Sequence, residues 1–159
     1  MNKKITYTAL LLVMIIIASV TWKYTHPPQY SEDGFSIILT KDGSKVLSDT
    51  DIQSYNASGH ELILTNESAD RMKNMRELLI GDFAIIIDGE EDLHGVFVPP
   101  IISRSYPSSE VVIVYPSFES DFKTMKIQMG YPWNQPSGYD PRQSSKIIQH
   151  FESIGKLIR

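Results

Sequence analysis

Phe83-Ala84-Ile85-Ile86-Ile87, then Asp88-Gly89, then Val96-Phe97-Val98 a few residues on, reads as a β-hairpin. The first run is dense in β-branched and aromatic residues. Asp-Gly supplies the turn, and the apolar residues resume on the far side. Residues 35–40, ending at Asp42-Gly43, and residues 61–65 are further strand candidates. Residues 110–115, with Val-Val-Ile-Val-Tyr, form another, and 125–129 alternate well enough for a shorter one. Thr65 or Asn66 can cap a helix whose Ala69, Met72, Met75 and Leu79 recur at helical spacing until Gly81 stops it. A last helix is capped by Asp140 or Ser144 and carries an apolar stripe of Ile147, Ile148, Phe151, Ile154 and then Leu157 or Ile158. Glu152 and Lys156 add an i,i+4 pair to it, and residues 48–52 suggest a single helical turn. The expected class is α+β: a mostly antiparallel sheet of about five strands with two packed helices, preceded by one N-terminal transmembrane helix.

That last element rests on residues 5–22, an apolar run interrupted only by Thr6, Thr8, Ser19 and Thr21 and free of charge. Eighteen residues at about 1.5 Å each approach the roughly 30 Å of a hydrocarbon core. Lys3 and Lys4 before the run, against Lys23 after it, favour a cytoplasmic N-terminus and an extracytoplasmic remainder. The other reading is a cleaved signal peptide, with Ala18-Ser19-Val20 as a loose cleavage site. Both export the domain. The expected division is residues 1–26 as N-terminus and anchor or signal peptide, 27–34 as a proline-stiffened linker, and 35–159 as the domain. The expected location is the cell membrane, crossed once.

The chain has 159 residues, 42% of them hydrophobic, and no cysteine. It is long enough for one packed domain, and disulfides, thiolate metal sites, a cysteine nucleophile and lipidation are excluded. Residues 27–159 hold twelve basic against nineteen acidic residues, a net charge of −7 with no basic block. Nucleic acid is therefore not an expected partner.

Residues 62–72, Leu-Ile-Leu-Thr-Asn-Glu-Ser-Ala-Asp-Arg-Met, followed by Gly-Asp-Phe-Ala-Ile-Ile-Ile-Asp-Gly-Glu at 81–90, resemble the periplasmic head of the protein translocase subunit SecD family. That resemblance covers about 30 residues. A longer one, to uncharacterised exported, lipoprotein-like bacterial proteins, runs through Phe35-Ser36-Ile37, residues 51–55, His60-Glu61-Leu62, Gly95-Val96-Phe97, residues 127–132, Asp140-Pro141-Arg142 and residues 154–157. It supports the fold and an exported location and implies no activity. The missing lipid-accepting cysteine favours the protein anchor.

Little in the residues points to catalysis. His26, His60, His94 and His150 are scattered without metal-ligand spacing. Residues 88–92, Asp-Gly-Glu-Glu-Asp, lack the alternating ligand pattern of a calcium loop. Ser120-x-x-Lys123 and Ser153-x-x-Lys156 lack the partner motifs of a serine–lysine nucleophile, and no glycine-rich nucleotide loop occurs. Asn56 and Asn66 stand in glycosylation sequons, the latter also a helix cap. No cofactor is expected.

Recognition is better served. Residues 130–142 place Tyr131, Trp133 and Tyr139 in a Pro/Gly-rich loop, and residues 99–107 add Ile101, Ile102 and Tyr106. Rigid aromatic rings contribute contact area at small entropic cost. The alternative role of the same rings is to pin the loops onto the sheet. Tyr131, Trp133, Tyr139, Ile101 and Tyr106 are the candidate partner-binding residues. The expected function is non-enzymatic binding of an envelope protein or peptide by a domain whose N-terminal helix contacts membrane lipid. The alternative is an envelope hydrolase assembled from dispersed residues such as Asp88, His60 and His94.

Overall fold

The computed structural model describes residues 33–75, 79–99, 101–115, 122–132 and 138–159. Residues 5–22 and Trp133 lie outside them. Among the described residues no helix is long and apolar enough to cross a membrane.

The described elements build one nine-stranded mixed sheet with two α-helices. In chain order they are β1 (Phe35–Leu39), β2 (Lys45–Ser48), a 3-10 turn (Asp49–Asp51), β3 (Ile52–Asn56), β4 (Glu61–Leu64), α1 (Asn66–Met75), β5 (Gly81–Ile87), β6 (Glu90–Val98), β7 (Tyr106–Val114), β8 (Thr124–Tyr131), a second 3-10 turn (Pro141–Gln143), α2 (Ser145–Ser153) and β9 (Leu157–Ile158). Across the sheet the order is β2-β1-β5-β6-β7-β8-β4-β3-β9. This corrects the expectation of about five mostly antiparallel strands. The sheet has nine, and β6–β7 and β3–β9 pair in parallel.

The physical reasons for the correction are local. β3 buries Ile52 and Tyr55, three residues apart, because its register with β4 slips between Ile52 and Ser54. A bulge of this kind hides the period of two by which a strand is recognised. β2 has only Val46 and Leu47 to show. Leu157 and Ile158 extend the apolar stripe of α2 in sequence, but the chain turns at Gly155 (φ 70°) and lays them beside β3 as a strand.

The hairpin at 83–98 is present as β5 and β6, antiparallel around Asp88-Gly89, both with positive φ. Phe83, Ile85, Ile87, Phe97, Val111 and Ile113 face the main core, which also takes Ala69 and Met72 of α1 and Ile147 and Phe151 of α2. Phe151 stacks on Tyr55 with ring centroids 5.1 Å apart and leans on Phe35 at 5.0 Å. The alternate residues Val98, Val112 and Val114 form a second cluster with Val96, Ile102, Tyr106 and Tyr131 packed against it. Burial on both faces explains why the central strands are continuous apolar runs rather than alternating ones.

Candidate functional site

β6 and β7 are parallel neighbours that pair only from Gly95↔Val111 to Val98↔Val114. Below Gly95 they diverge. The divergence follows from connecting parallel strands without a helix, since such a crossover usually takes a dozen or more residues. Only seven residues separate Val98 from Tyr106. The first part of β7 completes the return: Tyr106 pairs with Tyr131 and Val111 with Met129, so residues 107–110 lie opposite Gly130 alone. Gly130 permits this at φ 75°, where an added Cβ would come within 3.0 Å of Pro107 O and Ser108 Cα.

The result is a fork in the sheet, a cleft of about 500 Å³ walled by Asp92, His94 and Gly95 of β6, by Pro107, Ser109 and Glu110 of β7, and by Pro141. That volume lies within the ordinary range of ligand sites. β6 presents an open backbone edge there. In an antiparallel ladder alternate residues direct their N–H and C=O groups away from the partner, and no described strand pairs with Glu90 to His94 on the side away from β5.

The polar groups of the cleft are acidic. The β5–β6 register slips between Ile85↔Leu93 and Ile86↔Glu91, leaving Asp92 opposite no residue and turning it toward α2. Its Oδ1 accepts from Ser144 Oγ at 2.7 Å, whereas Oδ2 is buried without a hydrogen-bond partner. Glu110 stands across the cleft, and no lysine or arginine lines it. His94 Nδ1 lies 3.9 Å from Glu91 Oε1.

A buried polar network fixes the rim at Pro141. Arg142, 5% exposed, grips the Asp140 carboxylate through Nε at 2.8 Å and Nη2 at 2.7 Å and donates from Nη1 to the Ile127 carbonyl. A guanidinium stays charged when buried, so a carboxylate has to accompany it. The Arg142 hydrogen bond holds the Asp140 carboxyl below its usual range. Beside it, His60 Nδ1 meets the Tyr55 hydroxyl at 3.2 Å and its Nε2 lies 3.9 Å from Asp140 Oδ2. Burial, with the Arg142 charge adding, pushes the His60 pKa down. Burial also raises the Tyr55 hydroxyl pKa strongly.

Of the candidate partner-binding residues, Tyr106 and Tyr131 come together as a register pair at the open end of β7 and β8, half-buried on the second face. The Arg104 guanidinium stacks on Tyr106 at 4.9 Å. Ile101 is 86% exposed, beside Ile102, which packs on that face. Tyr139, 85% exposed, is two residues from Pro141 at the cleft. Packing thus takes half of Tyr106 and Tyr131, while Ile101 and Tyr139 are open. Sequence reading missed the fork itself, along with Asp92 and Glu110. Its only signal was Gly95 inside a strand run, a mark of close backbone approach.

The histidine and aspartate residues of the hydrolase alternative are held apart in separate contacts. Asp88 Oδ1 accepts from the Gly34 amide, His60 belongs with Tyr55 and Asp140, and His94 with Glu91. Two other clefts are polar but internally paired. One of about 480 Å³ has Lys146 bonded to Glu90 at 2.6 Å across its wall and His150 bonded to Asp49 at 2.8 Å. The other, of about 300 Å³, includes that same Asp49, which accepts from the Phe35 amide. Among the described residues no group of His, Asp and Glu is arranged to hold a metal ion. No family model, curated protein or solved structure matches the chain.

Proposed function

We propose that this is a membrane-anchored extracytoplasmic domain that binds a protein or peptide without chemistry, and that the fork between β6 and β7 is its binding groove. The observation that carries the reading is an open strand edge inside the sheet along a cleft, with exposed Tyr139 two residues from its Pro141 wall and half-buried Tyr106, paired with Tyr131, one residue before its Pro107 wall. Open edges recruit extended chains through backbone hydrogen bonds, and aromatic neighbours supply contact area. The apolar run at residues 5–22 and the resemblance to exported proteins support the location.

The test is photo-cross-linking of the full-length protein in its own membrane, with the reactive residue at Ser109 in the groove or at Glu152 on α2. One discrete partner captured from Ser109, absent from Glu152 and reduced severalfold by Tyr131→Ala, is the expected result. Equal capture at both positions would overturn the groove.

A further inference from the structure

From the charge and shape of the fork we infer the class of its occupant: an extended segment of a partner protein that adds to β6 as a strand and places a lysine or arginine over Glu110 and Asp92. The inference rests on the reading of the fork as a binding groove and goes beyond it in chemistry and mode.

The backbone sets the mode. Glu90 to His94 span about 17 Å at 3.3 Å per residue, and on the side away from β5 no described strand pairs with them. On the opposite wall Pro107 has no amide hydrogen to offer. Glu90 to His94 of β6 are thus the longer run of unpaired backbone at the cleft, and the segment pairs with that strand rather than bridging both walls.

The charge sets the chemistry. Glu110 has no ion-pair partner among the described residues, and the unpartnered Oδ2 of Asp92 adds negative potential from inside the wall. His94 is the only basic residue of the lining, and Glu91 lies beside it. An acidic segment entering here would meet like charge and an unpaired carboxylate; a basic one would complete the pair. The domain as a whole, at −7, draws the same class of partner from a distance.

The probe is a seven-residue fluorescent peptide alternating valine and lysine, compared with its glutamate counterpart and with the lysine peptide N-methylated at alternate amides. Anisotropy is read on the full-length protein in detergent. The lysine peptide is expected to bind at least about tenfold more tightly than the glutamate peptide, and N-methylation to abolish binding. Glu110→Gln should weaken it about fivefold, the upper end for a half-exposed charge pair, and Glu152→Gln should leave it unchanged. Equal affinity for both charges overturns the basic occupant, and indifference to N-methylation overturns strand addition. Self-association of the protein that Glu110→Lys abolishes assigns the groove to a second copy and overturns the inference too. If no peptide binds while Ser109 still captures a partner, this inference fails and the groove stands; if both fail, both fall.

Discussion

Gly95 is the point at which the fork closes. A Cβ built there would sit 2.6 Å from Phe83 Cζ and closer still to the Val111 carbonyl oxygen, so neither wall can yield without moving the first residue pair of the parallel ladder or a ring of the core. The φ angle is ordinary; the constraint is space alone. Gly95→Ala is expected to destabilise the domain by about 2 kcal/mol or more, as overpacking of a filled site does. For a domain of this size that is a fall in Tm of roughly 8 °C, read by thermal unfolding. A change under about 1 °C would mean that β6 and β7 separate freely at their junction, and the fork would lose its fixed apex. In the sequence Gly95 stands between His94 and the apolar Val96-Phe97-Val98, and a glycine there signals close backbone approach without showing which strand approaches.

At the scale of elements, α2 and the bulge in β6 hold each other. Ser144 caps α2 by accepting from the Lys146 amide at 3.2 Å and, with the same hydroxyl, donates to Asp92 Oδ1 at 2.7 Å. Ser144→Ala removes about 1 kcal/mol of capping and strips Asp92 of its one bonded oxygen, adding about 1–2 kcal/mol for an unmet buried acceptor. A urea midpoint lowered by the equivalent of about 2–3 kcal/mol is expected, whereas Ser144→Thr, which keeps the hydroxyl, should avoid most of that loss. A cost no greater than ordinary capping would show that Asp92 draws nothing from the helix. The cap and the stripe of Ile147, Ile148 and Phe151 were legible because helix signals are local. So was the β5–β6 hairpin, carried by Asp88-Gly89. β3 and β9 were not, since a register slip hid the period of one and Leu157 continued the helical stripe into the other. The fork was less legible still: Asp92 reads as a turn carboxylate and Glu110 as a strand residue, and only the parallel pairing of β6 with β7 brings them to one cleft.

For the whole molecule, the network under Pro141 and a second one around Asp51, bonded to Arg71, Ser68 and Ser48, make stability depend on pH in two separate steps on the acid side. His60, ordinarily titrating near 6.5, is held lower by burial first and then by the Arg142 charge, with Lys126 adding and Asp140 opposing. Tyr55 takes the other ring nitrogen. Below pH 6.5 the unfolded chain binds a proton that the folded one refuses, so stability present above that pH is lost as pH falls toward the folded value. Asp140 and Asp51 act lower. Hydrogen bonding to Arg142 holds Asp140 below the usual 3.8. Burial opposes the shift at Asp51, where bonds from Arg71, Ser68 and Ser48 outweigh it. Both contribute stability above pH 3.8 that disappears as the pH drops through their folded values. The expected Tm curve is level from pH 7 to about 9, slopes down from pH 6.5, steepens below pH 4, and falls again above about pH 10, where the unfolded chain ionises tyrosines that burial keeps neutral in the fold. His60→Asn, with a side chain that tolerates the left-handed φ of 53° at this position, should lower the plateau by removing the bond to Tyr55. It should also erase the slope that begins at pH 6.5 while leaving the acid step in place. If the variant keeps that first slope, the proton is taken up elsewhere and the histidine does not govern the fixing of the groove rim.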